Sequence, residues 1–142
     1  MKKSKPDVLG TPHHDPYERF ASAFSISYMS NAKWRKALGA IADAALPLER
    51  ASWKFIDSQH VHDWGVPRRT DLLPTGLADG RFQPVEYKWI EWIHFPRCWR
   101  PITDVGHSVA QDLDGLKRVL AASGSFHLVE DEQGVTLFGY IR

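Results

Sequence analysis

The sequence predicts an α+β domain, with a mainly antiparallel sheet and two main helices packed on one of its faces. Three observations carry the prediction. Apolar residues recur at helical spacing over residues 30–46 and 108–123. Strand-like segments rich in aromatic and β-branched residues stand at 51–58, 82–95, 126–130 and 135–141. Helices and strands do not alternate regularly, as a doubly wound parallel sheet would need.

Residues 1–28 read as an N-terminal extension, partly mobile, and residues 29–142 as the single domain. Tyr17, Phe20, Phe24 and Tyr28 recur at helical spacing, which suits a short docking helix that Ser25, Ile26 and Ser27 weaken. The first main helix opens at Ser30 or Asn31, either of which can cap its free amides. Trp34, Leu38, Ile41 and Ala45 form its apolar stripe, and Pro47 ends it. Ala51–Ser58 reads as a strand with Trp53 and Phe55 on one face and Lys54 opposite. Residues 59–81, with Gly65, Pro67, Pro74, Gly76 and Gly80, read as a long loop of functional character. Phe82–Phe95 reads as a central strand, apolar on both faces, which a turn at Pro84 could break. In the second main helix, Ser108 and Gln111 have capping-box spacing. Val109, Leu113, Leu116 and Leu120 make its stripe, and Gly124 stands where a left-handed cap belongs. Phe126–Glu130 and Val135–Ile141 pair as a hairpin across Asp131-Glu132-Gln133-Gly134.

The 142 residues suit one domain. With 43% hydrophobic and 25% charged residues, the composition excludes a wholly disordered chain, a collagen and a coiled coil. The 18 basic and 17 acidic residues nearly cancel, so no global field draws the molecule to nucleic acid or an anionic membrane. A single cysteine, Cys98, excludes an intramolecular disulfide framework and is compatible with a reducing compartment. Met1-Lys2-Lys3-Ser4-Lys5 has the charge of a signal-peptide start, yet Pro6, Asp7, His13, His14 and Asp15 stand where an apolar stretch would follow. No apolar run approaches the length of a membrane span. A soluble, cytoplasmic protein without a membrane partner is expected.

Chemistry has few footholds. In His60-Val61-His62-Asp63, extended residues two apart share a side, so both imidazoles could meet one metal ion. Zinc needs a third protein ligand, for which Asp63, His94 and Cys98 are available. A metal-dependent hydrolase or nuclease using His60, His62 and Asp63 is therefore the alternative reading, on a motif that falls short of a complete spacing pattern. Glu91 and His94 lie three apart on a strand and so on opposite faces. A core-edge histidine and a carboxylate meeting a lysine or arginine are expected of them. Cys98, between Arg97 and Trp99, has nearby cations that could lower its pKa, but it reads as a small buried hydrophobe. The sequence has no phosphate-cradling glycine loop, no His-Glu-x-x-His and no Gly-x-Ser-x-Gly. No catalytic residue and no cofactor are expected.

The six tryptophans divide. Trp34, Trp53, Trp89 and one face of Trp92 suit core packing. Trp64 and Trp99 lie in Pro- and Arg-rich, loop-like contexts, where a large aromatic either pins the loop or anchors a partner. With Arg68, Arg69, Arg97 and Arg100 they make the candidate partner-binding set, because Trp, Tyr and Arg dominate interface hot spots. The same types suit stacking on nucleic acid, a second alternative that the balanced charge disfavours.

Ser30-Asn31-Ala32-Lys33-Trp34-Arg35, Tyr87-Lys88-Trp89-Ile90-Glu91-Trp92 and the late Gly139-Tyr140 resemble a family of small bacterial proteins known as a domain of unknown function. The resemblance covers about residues 29–142 and departs at the longer, Pro-rich 59–81 region. It implies no catalytic residues. By type alone, such proteins resemble immunity proteins of bacterial toxin systems. The function expected is a non-enzymatic protein-binding module, an immunity or antitoxin-like inhibitor that sterically occludes a bacterial toxin or effector.

Overall fold

The computed structural model describes residues 16–78, 84–100 and 108–141. The chain runs through helix α1 (Pro16–Ala21), strand β1 (Ile26–Ser27), helix α2 (Asn31–Ala44) and strands β2 (Arg50–Phe55) and β3 (Val61–Gly65). A 3₁₀ turn at Arg69–Asp71, β4 (Gly76–Leu77), β5 (Val85–Glu86) and a second 3₁₀ turn at Tyr87–Trp89 lead into β6 (Ile90–Pro96). Then come β7 (Cys98–Trp99), β8 (Val109–Ala110), α3 (Leu113–Ser123), β9 (Leu128–Glu130), β10 (Gly134–Phe138) and β11 (Tyr140–Ile141). Five strands form one antiparallel sheet in the order β3-β2-β6-β10-β9. The α+β class and the antiparallel sheet are as the sequence predicts.

Register decides which side chains face the helices. Trp53 stands opposite Ile93, Ile93 opposite Leu137, and Phe95 opposite Val135. Opposed residues share a face, and these are all buried. Trp34, Leu38 and Ile41 of α2 and Leu113, Leu116 and Leu120 of α3 close over them in the same apolar cluster. On the other face, Ser52, His94 and Thr136 form one row and Lys54, Trp92 and Phe138 the next. Lys54 pairs with Trp92 but Phe55 pairs with Ile90, so Glu91 is the extra residue of a bulge. Its carboxylate accepts from Lys54 Nζ at 2.7 Å, and both side chains are buried. Glu91 thus meets the lysine expected of it.

Several elements differ from the sequence reading. Within the 59–81 region, read as loop, the described residues 59–78 hold the strands β3 and β4. Inward His62 and Trp64 alternate there with outward Val61 and Asp63 over too few residues to read as a strand. The segment before Phe95 is not one strand. The Tyr87–Trp89 turn interrupts it and buries Tyr87, whose hydroxyl donates to Leu73 O at 2.8 Å. Phe82 lies outside the described residues. Trp89 is half-buried rather than central in the core. Helix α2 is capped as expected, Ser30 Oγ accepting from Lys33 N at 3.1 Å. Ala45, however, is exposed and left-handed (φ 51°), so it caps the helix instead of joining the stripe. Helix α3 starts later than expected, at Asp112, whose side chain accepts from Gly115 N at 2.9 Å. Gly124 closes it in an extended, not left-handed, conformation (φ 165°). The final hairpin is β9–β10, as expected.

Residues 16–28 lie against the body. Tyr17 and Phe20 of α1 pack on Trp89 at 5.6 and 6.3 Å between ring centres, and Phe24 packs on Tyr140 at 5.3 Å. The Tyr17 and Tyr140 hydroxyls share a hydrogen bond, and β1 pairs with β11. The docking helix is real but ends at Ala21, before the serines. Of the extension 1–28, expected to be partly mobile, residues 1–15 lie outside the described residues.

Gln111 is freed from capping and buried instead. Its Oε1 accepts from Glu49 N (2.7 Å) and Arg50 N (2.9 Å). Its Nε2 donates to Arg50 O (3.1 Å) and Pro96 O (2.8 Å). One side chain therefore joins the start of β2, the end of β6 and the entry to α3. Gln111→Leu should destabilise the fold by about 2–4 kcal/mol, because backbone groups of three residues lose a buried partner. Urea unfolding measures it, and a midpoint equal to the native one would show that these groups find other partners.

Candidate functional site

Strand β3 runs out through Gly65 into Val66, Pro67 and Arg68. Between this exit and the start of β2 lies a cleft of about 820 Å³. Trp53, Trp64, Val66, Pro67 and Leu77 give it apolar walls, and Glu49, Arg50, Asp63, Arg68 and Asp71 give it charges of both signs. Trp53 Nε1 donates to Gly65 O at 3.3 Å, which ties β3's exit to the core. Trp64 is half-buried and packs on Trp53 and Phe55, with ring centres 5.7 and 5.4 Å apart. Arg50 is ion-paired with Asp63 at 3.0 Å, and its guanidinium lies over the Trp99 ring, 5.5 Å from its centre. Trp99 Nε1 is buried and has no hydrogen-bond partner among the described residues. Asp71 is buried and accepts from Arg68 N at 2.8 Å, while the Arg68 guanidinium stays 3.8 Å off with its side chain 79% exposed. A second hollow of about 390 Å³ lies on the other side of Trp64, lined by Phe55, His62, Glu86 and Trp89 among others.

The six candidate contact residues separate into two groups. Trp64 and Arg68 line the cleft, and Trp99 adjoins it through Arg50. Arg69 is turned away: Nε and Nη2 grip both carboxylate oxygens of Asp43 on α2, the first at 3.0 Å. Its guanidinium occupies the space where a Cβ at Gly39 would stand. That grip holds the Asp43 carboxyl below its ordinary range and the Arg69 guanidinium above its own. Arg97 binds Glu130 at 2.7 Å and Asp131 O at 2.7 Å, and so fastens the β9–β10 turn. Lys117 Nζ reaches the other oxygen of Glu130 at 2.8 Å. Arg100 is exposed beyond β7. Glu49, Arg50 and Trp53 were not legible as cleft residues, because no local pattern shows that 49–53 and 63–71 converge.

The metal candidates do not assemble. The His60 and His62 rings sit edge to face, 4.6 Å between centres. Asp63 faces the other side of the strand, bound to Arg50. His94 lies on the face away from the helices, with Nδ1 2.8 Å from Thr136 Oγ1. Cys98 is exposed on β7, contrary to the buried hydrophobe expected; among the described residues short β7 pairs with β8 alone. Among the described residues no group of three or more His, Cys, Asp or Glu could hold a metal ion.

Comparison with protein-family models, curated proteins and solved structures finds no match to this chain. Among the described residues no helix is long and apolar enough to cross a membrane.

His62 and His94 are both held below the ordinary histidine pKa. Burial is the main cause for each. His60 adds to it at His62 and Asp57 opposes, while Asp131 opposes it at His94. Both rings therefore take up a proton less readily in the fold than in the unfolded chain, whose histidines titrate near pH 6.5. Stability should fall as pH drops from about 7 towards 5, and the double variant H62Q/H94Q should flatten that limb. Urea midpoints against pH check it; an unchanged slope in the double variant would assign the loss to other groups.

Proposed function

We propose that the chain is a non-enzymatic protein-binding module of immunity-protein type, which covers the working surface of a bacterial effector. The observation that carries this reading is the convergence of Trp64, Arg68 and, through Arg50, Trp99 on one cleft. Indole walls offer apolar area with few rotatable bonds, and a charged rim excludes water around them, as hot spots require. The rim mixes Glu49, Asp63 and Asp71 with Arg50 and Arg68. Mixed signs complement a polypeptide better than a phosphate chain, which asks for cations alone. Arg50, Arg69 and Arg97 are already neutralised by Asp63, Asp43 and Glu130, so they form no free basic stripe. The resemblance to small bacterial proteins supports the same reading, and the exposed Cys98 thiol suits a reducing cytoplasm.

The full chain, used as bait in the cells that express it, should retain an effector and suppress its activity at equal stoichiometry. Arg68→Glu should weaken that complex by about tenfold or more while shifting folding stability by no more than about 0.5 kcal/mol. Calorimetric titration of Arg68→Glu, with Trp99→Ala beside it, measures the first, urea unfolding the second. Native-like affinity in both Arg68→Glu and Trp99→Ala would remove the cleft from recognition, and a catalytic turnover by the chain alone would remove the reading.

A further inference from the structure

The smaller hollow, of about 390 Å³, is walled by aromatic rings from two separate groups. On one side Phe55, His62 and Trp64 pack together, with the Phe55 ring centre 5.6 Å from His62 and 5.4 Å from Trp64. The other wall is Trp89, whose ring contacts among the described residues are with Tyr17 and Phe20 of α1. No ring contact joins Trp89 to the first group, so the hollow separates them. Backbone fixes the gap: Phe55 pairs with Ile90, and Ile56 N donates to Trp89 O at 2.9 Å. Asp57 and Glu86 stand at the rim, both exposed, and no lysine or arginine among the described residues lines the hollow. Lys88 sends its ammonium elsewhere, over the Tyr17 ring at 4.5 Å from its centre. Burial, with His60 adding to it and Asp57 opposing, holds His62 below its ordinary pKa, so that ring brings little positive charge near neutral pH.

We propose that this hollow binds a quaternary ammonium group, with the rings of Phe55 and Trp89 against its methyls and Asp57 and Glu86 balancing its charge from the rim. The electron-rich face of an aromatic ring attracts a cation, most strongly where water is excluded. A primary ammonium or a guanidinium carries N–H groups that need acceptors, and ring carbon supplies none. A quaternary ammonium has no N–H, and its charge is spread over methyl groups that pack as hydrocarbon does. The volume lies at the small end of ligand sites, about 300–1,000 Å³, which suits a headgroup. Trp64 stays packed on Phe55 and His62, and no face of it has to open. The site is separate from the effector cleft, since Phe55, Asp57, Glu86 and Trp89 line the hollow and not the cleft.

Titration of the full chain with choline, followed by heteronuclear NMR, tests this. Saturable shifts should appear at the amides of 55–58 and 86–89 and at the Trp89 indole N–H, with a Kd of about 1 mM or tighter. The neutral isostere dimethylbutanol, with a tert-butyl group in place of the trimethylammonium, should bind about tenfold more weakly. The double variant D57N/E86Q should lose about fivefold or more of its affinity for choline and keep that for the isostere. Its urea midpoint should equal the native one, because both carboxylates are exposed. A peptide bearing trimethyllysine, titrated beside choline, distinguishes a protein-borne ammonium from a free or lipid-borne one, the tighter binder naming the source. The same peptide with unmethylated lysine should bind no tighter than the isostere. No saturable shift, shifts that map to other residues, equal affinity for choline and its isostere, or choline affinity unchanged in D57N/E86Q each overturns the ammonium site.

Discussion

The Gln111 side chain is the point on which the cleft's geometry rests. A primary amide offers an acceptor and two donors, and here both ends are spent on backbone at the start of β2 and the end of β6. Arg50 has its N–H and its C=O held by one side chain, which fixes where its guanidinium leaves the chain. That guanidinium then bridges Asp63 on the edge strand and the Trp99 ring. Directly after Gln111, Asp112 caps α3 and sends its own amide to Pro47 O at 3.3 Å. Two consecutive residues thereby set the helix against the sheet and the sheet's corner against the cleft.

The buried Lys54–Glu91 pair works at a different level. Removing charges from water is expensive, and a buried pair is weak evidence of net stability. Its effect is on register. Glu91 reaches Lys54 because the bulge at that point inserts one extra residue into β6. Just before the bulge the chain leaves the Tyr87–Trp89 turn, which places Trp89 at the wall of the smaller hollow and under α1. A single irregularity in the central strand therefore adjoins one wall of that hollow.

What the sequence made legible follows from how local each signal is. Both main helices showed in their 3.6-residue stripes, and Trp34, Leu38, Leu116 and Leu120 are buried as that period requires. The hairpin showed in its turn residues, Asp131 Oδ1 accepting from Gln133 N and Gly134 N. β3 was hidden because Asp63 and Gly65 read as loop residues within a Pro-rich stretch. Tyr87-Lys88-Trp89 was hidden because its composition is that of a strand. Ser108 and Gln111 have capping-box spacing by coincidence, the helix beginning one residue after Asp112. In the candidate site, Trp64 and Arg68 were legible as an aromatic and a cation among loop-forming residues. Arg69 and Arg97 looked equivalent to Arg68, since nothing local reveals that Asp43 and Glu130 lie within reach. Arg50 gave no sign, because its importance comes from residues 13, 49 and 61 positions away.

The grip of Arg69 on Asp43 has a consequence for how quickly and reversibly the cleft can work. The absent side chain at Gly39 lets the guanidinium lie flat on α2, so the 66–71 segment is moored to the helix layer rather than hanging from β3. Segments that are already immobile surrender little motional freedom when something docks on them. An occupant meeting this wall would encounter a shape present beforehand, and its residence time would be governed by the fit of its own side chains rather than by any rearrangement of the host.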